Sequence, residues 1–263
     1  MQLDFSGRAV LITGGTKGIG LAAGVEFGRL GAQVYLTNKW GSADETEVKR
    51  QFTDVGAPEP IILTADVAEK EDTRAVMNEI KTRFDRIWVY IANVGFAQLT
   101  KALDEYKFKT FAKTLEYSAW PIASYLQVAK QVFGTYPRYT LGVSSMGPSN
   151  VYPQYDFVAA SKAVMETFAM YLGTRVAPEG CSVNAIRVGM VPTESFRATF
   201  GDEFTDAILR RDPSRFLTLE EAGRTLVGFC TGYLDALNGQ TVTVDKATAI
   251  ADNLLTMVSR NIL

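Results

Sequence analysis

Seven short runs rich in apolar, β-branched and aromatic residues recur along the chain: Ala9 to Thr13, Gln33 to Asn38, Ile61 to Ala65, Ile87 to Ala92, Tyr139 to Ser144, Ser182 to Arg187 and Thr241 to Val244. Segments with helical spacing separate them, so the pattern predicts repeated βα units: an α/β, Rossmann-like, doubly wound parallel sheet of about seven strands with helices on both faces. The longest helical stretches run from Glu105 to Phe133 and from Phe157 to Ala177. The region 191–215 is less regular and follows the carboxyl end of a strand, where open α/β sheets bind ligands. No low-complexity linker interrupts the alternation. With 263 residues and 47% hydrophobic content, the chain is expected to form a single domain, 1–263.

A net charge of -2 and the lack of any long basic run argue against a nucleic-acid backbone or an anionic membrane as partner. A small molecule is expected instead. Met1 to Gly7 lacks a basic region followed by an apolar core, and no apolar run approaches the roughly 20 residues needed to span a bilayer, which points to the cytosol. Cys181 and Cys230 stand alone without metal-ligand spacing and read as buried small hydrophobes. The chain has no histidine, so a Ser-His-Asp triad, a Cys-His pair and the common histidine metal sites are excluded, and no metal is expected. Acid-base work falls to Tyr, Lys, Asp or Glu.

The first predicted strand runs into Thr13-Gly14-Gly15-Thr16-Lys17-Gly18-Ile19-Gly20 and then a helix. Glycines there permit a tight turn and close backbone approach, and the helix amino terminus offers N–H groups to a pyrophosphate. At the end of the second strand, where a dinucleotide site often carries an acid for the ribose 2'-hydroxyl, the chain has Asn38 and Lys39. With no carboxylate at that point, Lys17 and Lys39 are expected to attract the 2'-phosphate of NADP. Trp40 covers the adenine or only packs. Asp66 hydrogen-bonds the adenine or caps the following helix.

Tyr155 stands seven residues before Lys162, and Val158 stands four before it. At about 100° per residue, both positions share the lysine's face of a helix, but the tyrosine reaches about 4.5 Å further along the axis than a residue at minus four. The reach matters chemically. When hydride attacks a ketone, charge develops on the oxygen of the attacked carbon. When it attacks the β-carbon of an enoyl thioester, charge develops on an oxygen several ångströms away, and the stabilising donor has to move outward. Tyr152, outside this register, reads as a pocket wall. Phe196, Phe200 and Phe204 line an acyl channel or simply pack a helix.

Over nearly its whole length the chain resembles the short-chain dehydrogenase/reductase family. The glycine motif, Asp66-Val67, Asn93-Val94-Gly95, Ser144-Ser145, Ser161-Lys162-Ala163, Asn184 and Gly239-Gln240...Val244-Asp245 fall in family order. The resemblance implies that Asn93 and Gly95 support the cofactor, that the loop Gly189 to Thr193, with Val191 and Thr193, contacts the nicotinamide, and that Lys162 holds its ribose. Departures from the family pattern are Val158 for the usual tyrosine, Ser118 for an asparagine, Val188 for a proline and Lys246-Ala247 for Gly-Gly. The Tyr-x6-Lys spacing is similar to that of the bacterial enoyl-acyl-carrier-protein reductases, and Ser144-Ser145-Met146-Gly147 followed by Tyr155 resembles their type III members.

The resemblance implies an NADPH-dependent reductase of an enoyl thioester on acyl-carrier protein or coenzyme A, in fatty-acid or polyketide-type metabolism. Tyr155 would donate to the thioester oxygen, Lys162 would assist, and Ser145 would be an auxiliary donor. Phe96, Met146, Tyr152, Phe196 and Phe200 are expected along the substrate pocket. A carbonyl reductase using Tyr155 and a catalytically silent NADP-binding scaffold or sensor remain open as alternatives. By the same resemblance the assembly would be a homotetramer or homodimer. The tail 248–263, with Leu254, Leu255 and Val258 at helical spacing, would dock on its own or a neighbouring subunit.

Overall fold

The computed structural model describes residues 3–39 and 44–251; the Trp40 expectation and most of the tail expectation lie outside them. Seven parallel strands form one sheet in the order β3-β2-β1-β4-β5-β6-β7. They are β1 (Ala9–Thr13), β2 (Gln33–Asn38), β3 (Ile61–Thr64), β4 (Ile87–Ala92), β5 (Tyr139–Ser144), β6 (Ser182–Val188) and β7 (Thr241–Val244). The connecting helices are α1 (Gly18–Arg29), α2 (Glu45–Thr53), α3 (Lys70–Lys81), α4 (Phe108–Ser118), α5 (Pro121–Phe133), α6 (Asp156–Val176), α7 (Glu194–Phe200), α8 (Asp202–Arg211), α9 (Leu219–Gly228) and the short α10 (Thr248–Ala251).

Side chains alternate across a strand, and here both sides of the sheet are covered, which is why every residue of β1 is buried. Val10 and Ile12 pack with Phe27, Phe52 and Leu226 beneath α1, α2 and α9, while Ala9 and Leu11 pack with Met77, Tyr125 and Met165 beneath α3, α5 and α6. Winding reverses between β1 and β4, the strands on either side of the first crossover, and the crevice at their carboxyl ends is where a doubly wound sheet holds a ligand.

Two regions differ from the sequence expectation. The stretch 105–133 is two helices rather than one. Pro121 has no N–H to continue α4 and its ring would collide with the carbonyl one turn back, so it instead opens α5 at the first helical position. Trp120 N donates to Leu115 O at 3.0 Å across the break. The region 191–215 is ordered into α7 and α8, separated at Gly201, whose φ of 92° stops one helix before the other begins.

Candidate functional site

A cleft of about 670 Å³ opens at the strand carboxyl ends and takes in Gly14, Thr16, Lys17, Gly18 and Ile19 from the first turn. α1 starts at Gly18, and Lys17, which precedes it, supplies no side-chain cap. The first-turn N–H groups and the positive end of the helix dipole therefore address the cleft. Gly14 and Gly18 have φ of 61° and 57°. Gly20 lies behind the turn, where an added Cβ would stand 2.7 Å from both Asn93 Nδ2 and Gly14 O. Asn93 fixes this cradle: its Nδ2 donates to Thr13 O at 3.1 Å and Gly14 O at 2.9 Å, and its backbone N donates to Thr13 Oγ1 at 3.2 Å. An uncapped helix amino terminus above a cradle that a Cβ would fill fits the pyrophosphate of a dinucleotide.

At the β2 end, Asn38, Lys39, Asp66 and Val67 line the same cleft. Lys39 is ion-paired with Asp66 and donates to Tyr117 Oη at 2.5 Å, while Tyr117 Oη donates to Asp66 Oδ2 at 3.0 Å. Asp66 Oδ1 accepts from Ala68 N at 3.0 Å. Burial works to raise the Asp66 carboxyl, but Lys39, the Ala68 N–H and Tyr117 together hold it below the ordinary carboxylate value. Lys17 is likewise paired, with Glu194 at 3.2 Å on the exposed rim. Both lysines expected to attract a phosphate thus already face a carboxylate, so a phosphate would have to compete for them. Tyr117 escaped the sequence reading because its partner Asp66 lies 51 residues away and no local spacing joins them.

At the other end, Tyr155 occupies the position just before α6, and its carbonyl accepts from Ala159 N at 2.8 Å, so it continues the helical register of Lys162. Tyr155 and Lys162 both line the cleft, and so does Val158, which puts an apolar side chain where the family's tyrosine would stand. Lys162 is only 6% exposed, and its Nζ donates to Val143 O at 2.7 Å. Burial pulls its ammonium down to about 8, against the opposing charge of Glu166 one turn along the helix. Burial pushes the Tyr155 phenol up, which the Ser145 hydroxyl partly offsets, so the phenol keeps its proton at neutral pH. Its Oη donates to Ser145 Oγ at 3.4 Å. The ring rests against Gly147, where an added Cβ would stand 2.9 Å from Tyr155 Cε1. Gln154 just before it has φ of 65°, a left-handed turn that aims the tyrosine.

The expected substrate residues divide. Phe196 and Phe200 reach the cleft wall, whereas Phe96, Met146 and Tyr152 do not. Phe96 packs on Tyr117, ring centroids 5.6 Å apart, and Met146, within the β5–α6 loop, is buried. Tyr152 stands edge-on behind Tyr155 at 6.0 Å. Phe200 covers Tyr155 with centroids 5.7 Å apart and meets Phe196 at 4.8 Å, so an aromatic wall continues from the phenol outward. Gly95 leaves room beside the Lys162 ammonium; a Cβ there would come no nearer than 4.0 Å.

Gly189, Val191 and Thr193 complete the cleft. Thr193 Oγ1 accepts from Phe196 N at 3.1 Å, capping α7, and its side chain faces Gly18 across the mouth. Ser118 lies outside the cleft wall; it is buried, and its Oγ accepts from Phe96 N at 2.9 Å, tying down the loop after β4. Lys246 and Ala247, in place of Gly-Gly, adopt φ of 54° and 62°. They are held in this glycine-like backbone by Asp245, whose Oδ1 and Oδ2 accept from Ala247 N and Ala249 N, and by Lys246 pairing with Glu221 at 2.8 Å.

The sequence profile described as "Enoyl-(Acyl carrier protein) reductase" matches residues 14–247. The chain is 24% identical over 250 residues to 1-cyclohexenylcarbonyl-CoA reductase of Streptomyces collinus, covering 91% of this chain and 86% of that protein. It is 24% identical over 261 residues to enoyl-[acyl-carrier-protein] reductase [NADH] FabI of Synechocystis sp., covering 95% and 99%. Among solved structures, a 7α-hydroxysteroid dehydrogenase complexed with NADH and 7-oxo glycochenodeoxycholic acid superposes with a TM-score of 0.81 at 18% identity, over 93% of this chain and 95% of that one. That likeness establishes the fold. No described helix is long and apolar enough to cross a membrane. With a family match over residues 14–247 and a glycine cradle fit for a dinucleotide, the chain belongs to the enoyl-(acyl carrier protein) reductase-like family of short-chain dehydrogenase/reductase oxidoreductases.

Proposed function

We propose that the chain is an NADPH-dependent reductase of α,β-unsaturated acyl thioesters. The observation that carries this reading is the pairing of Tyr155 with Lys162 in one cleft while Val158 removes any donor from the nearer position. A nicotinamide bound there supplies a hydride. The chain's own part is to hold the acyl group along Phe196 and Phe200, to donate from the Tyr155 phenol to the thioester oxygen as charge develops on it, and to place the Lys162 ammonium beside the nicotinamide ribose and the phenol. Ser145, within reach of Tyr155, serves as the auxiliary donor. NADPH is favoured over NADH because β2 ends at Asn38 and is followed by Lys39 and not by an acid, and Lys39 can exchange its partner Asp66 for a 2'-phosphate.

The test is to follow NADPH and NADH oxidation with crotonyl and acetoacetyl thioesters of coenzyme A and of acyl-carrier protein. Reduction of the crotonyl substrates supports the assignment. Reduction of the acetoacetyl substrates alone replaces it with a carbonyl reductase, and a protein that binds NADPH but oxidises it with neither is a scaffold. In the enoyl case Tyr155→Phe lowers kcat by about 10²–10³-fold.

A further inference from the structure

Beneath the candidate site lies a carboxylate that none of the preceding roles uses. Glu166 is four residues after Lys162 on α6, which places the two on one helix face, and its side chain is 10% exposed. Its Oε1 accepts from Ser144 Oγ at 2.7 Å and from Arg187 Nε at 2.7 Å, and its Oε2 accepts from Arg187 Nη2 at 2.6 Å. Arg187 Nη1 reaches on to Ser149 Oγ at 3.3 Å. Ser144 adjoins Ser145, Arg187 lies just before the Gly189 loop, and Ser149 belongs to the loop that leads to Tyr155. One buried group therefore joins the segments that carry the candidate donors and the nicotinamide loop.

We propose that Glu166 is a positioning residue that fixes these segments relative to α6 and, with Arg187, sets the charge state of Lys162. The inference rests on Lys162 being the site's working ammonium, but not on which thioester is reduced. The bidentate fork holds Arg187 against the carboxylate, and that carboxylate, one helical turn from Lys162, is the negative charge that opposes the effect of burial on the ammonium. Tyr155, just before the same helix, is another ionisable group that lines the cleft with Lys162. Val143 of β5 and Ser145 just after it present only a carbonyl and a hydroxyl, and from the loop after β4, Gly95 presents no side chain. Among the described residues, the Glu166 charge is what counters the lowering of the lysine by burial.

The two partners predict shifts of opposite sign. Glu166→Gln keeps much of the hydrogen bonding but removes the negative charge and leaves Arg187 uncompensated, so the Lys162 titration moves to lower pH by about one unit. Arg187→Met leaves the carboxylate uncompensated and moves it to higher pH. Glu166→Asp keeps the charge and stays near the wild-type value. The experiment follows the Cε chemical shift of Lys162 against pH in ¹³C-lysine-labelled protein, assigned by difference with Lys162→Arg, alongside the alkaline limb of kcat/KM.

Opposite shifts in the glutamine and methionine variants establish the role. Shifts of the same sign, or an unchanged titration in both, overturn it and leave Glu166 a purely structural tie. If Glu166→Gln does not fold, the sign of the Arg187→Met shift decides alone. Because the resonance is read without substrate, a protein that reduces no thioester would refute the functional reading while leaving this test intact.

Discussion

Two lysines face the same cleft from opposite ends and are held in opposite ways. Lys39, on the adenosine side, is partly exposed, paired with Asp66 and bonded to Tyr117; the Asp66 hydrogen bond and then the Tyr117 one push its ammonium up. Lys162, on the nicotinamide side, is buried against a backbone carbonyl and pulled down to about 8. A lysine matched by a carboxylate is a permanent charge, suited to competing for another anion. One held against a neutral carbonyl with a carboxylate only a turn away is close to its titration point, suited to proton traffic. In the proposed reaction, this difference separates recognition by Lys39 from chemistry at Lys162 within one cavity.

Lys162→Met attacks the comparison most directly. It should lower turnover by about 10³-fold. The same change should stabilise the cofactor-free protein at pH 7 by up to about 3 kcal/mol, because the folded lysine titrates at about 8 against an ordinary 10.5. Since the folded value is depressed, the penalty for burying the charge is present in full below pH 8 and fades as pH rises toward 10.5. Urea unfolding at pH 7 and pH 10 checks this: a gain that does not shrink at the higher pH would mean Lys162 is not the group under strain.

Gly147→Ala displaces the Tyr155 ring, and we expect kcat to fall about 10-fold with the dissociation constant for cofactor unchanged. Loss of cofactor affinity as well would mean the two ends of the cleft are coupled. Lys39→Met should raise KM for NADPH about 5- to 10-fold while altering that for NADH less than twofold. Equal effects on both nucleotides would make Lys39 a structural partner of Asp66 and Tyr117. The smallest effect is expected from Ala247→Gly, which relieves a left-handed backbone but loosens the unfolded chain, for a net change within about 1 kcal/mol by thermal or urea unfolding.

The elements that the sequence made legible are those whose signals are local. Strand limits followed from short apolar runs, the cradle from Gly14, Gly18 and Gly20, and the register of Tyr155 with Lys162 from counting along one helix. The division of α4 from α5 is also written locally, in Pro121, but the apolar spacing continues across it and masks the break. What escaped is non-local. Tyr117 meets Asp66 across 51 residues and Arg187 meets Glu166 across 21, and in both cases the topology of the sheet, not spacing in the chain, brings the partners together. For the same reason the chain alone does not show that Phe96 packs on Tyr117, that Met146 is buried, or that Tyr152 packs on Tyr155 and Phe200.

Because the phenol stands at the mouth of α6 and the ammonium two turns inside it, the two are anchored differently. The lysine lies within the helix body, whereas the tyrosine, bonded into the helix only through its carbonyl, has its ring seated on Gly147 of the connection 145–154, next to the left-handed turn at Gln154. Lengthening or shortening that connection would carry the hydroxyl toward or away from the hydride's target without disturbing the charge behind it. For the proposed reaction, the connection is an adjustable arm, through which one scaffold could be refitted to substrates whose reacting carbon and charged oxygen lie different distances apart.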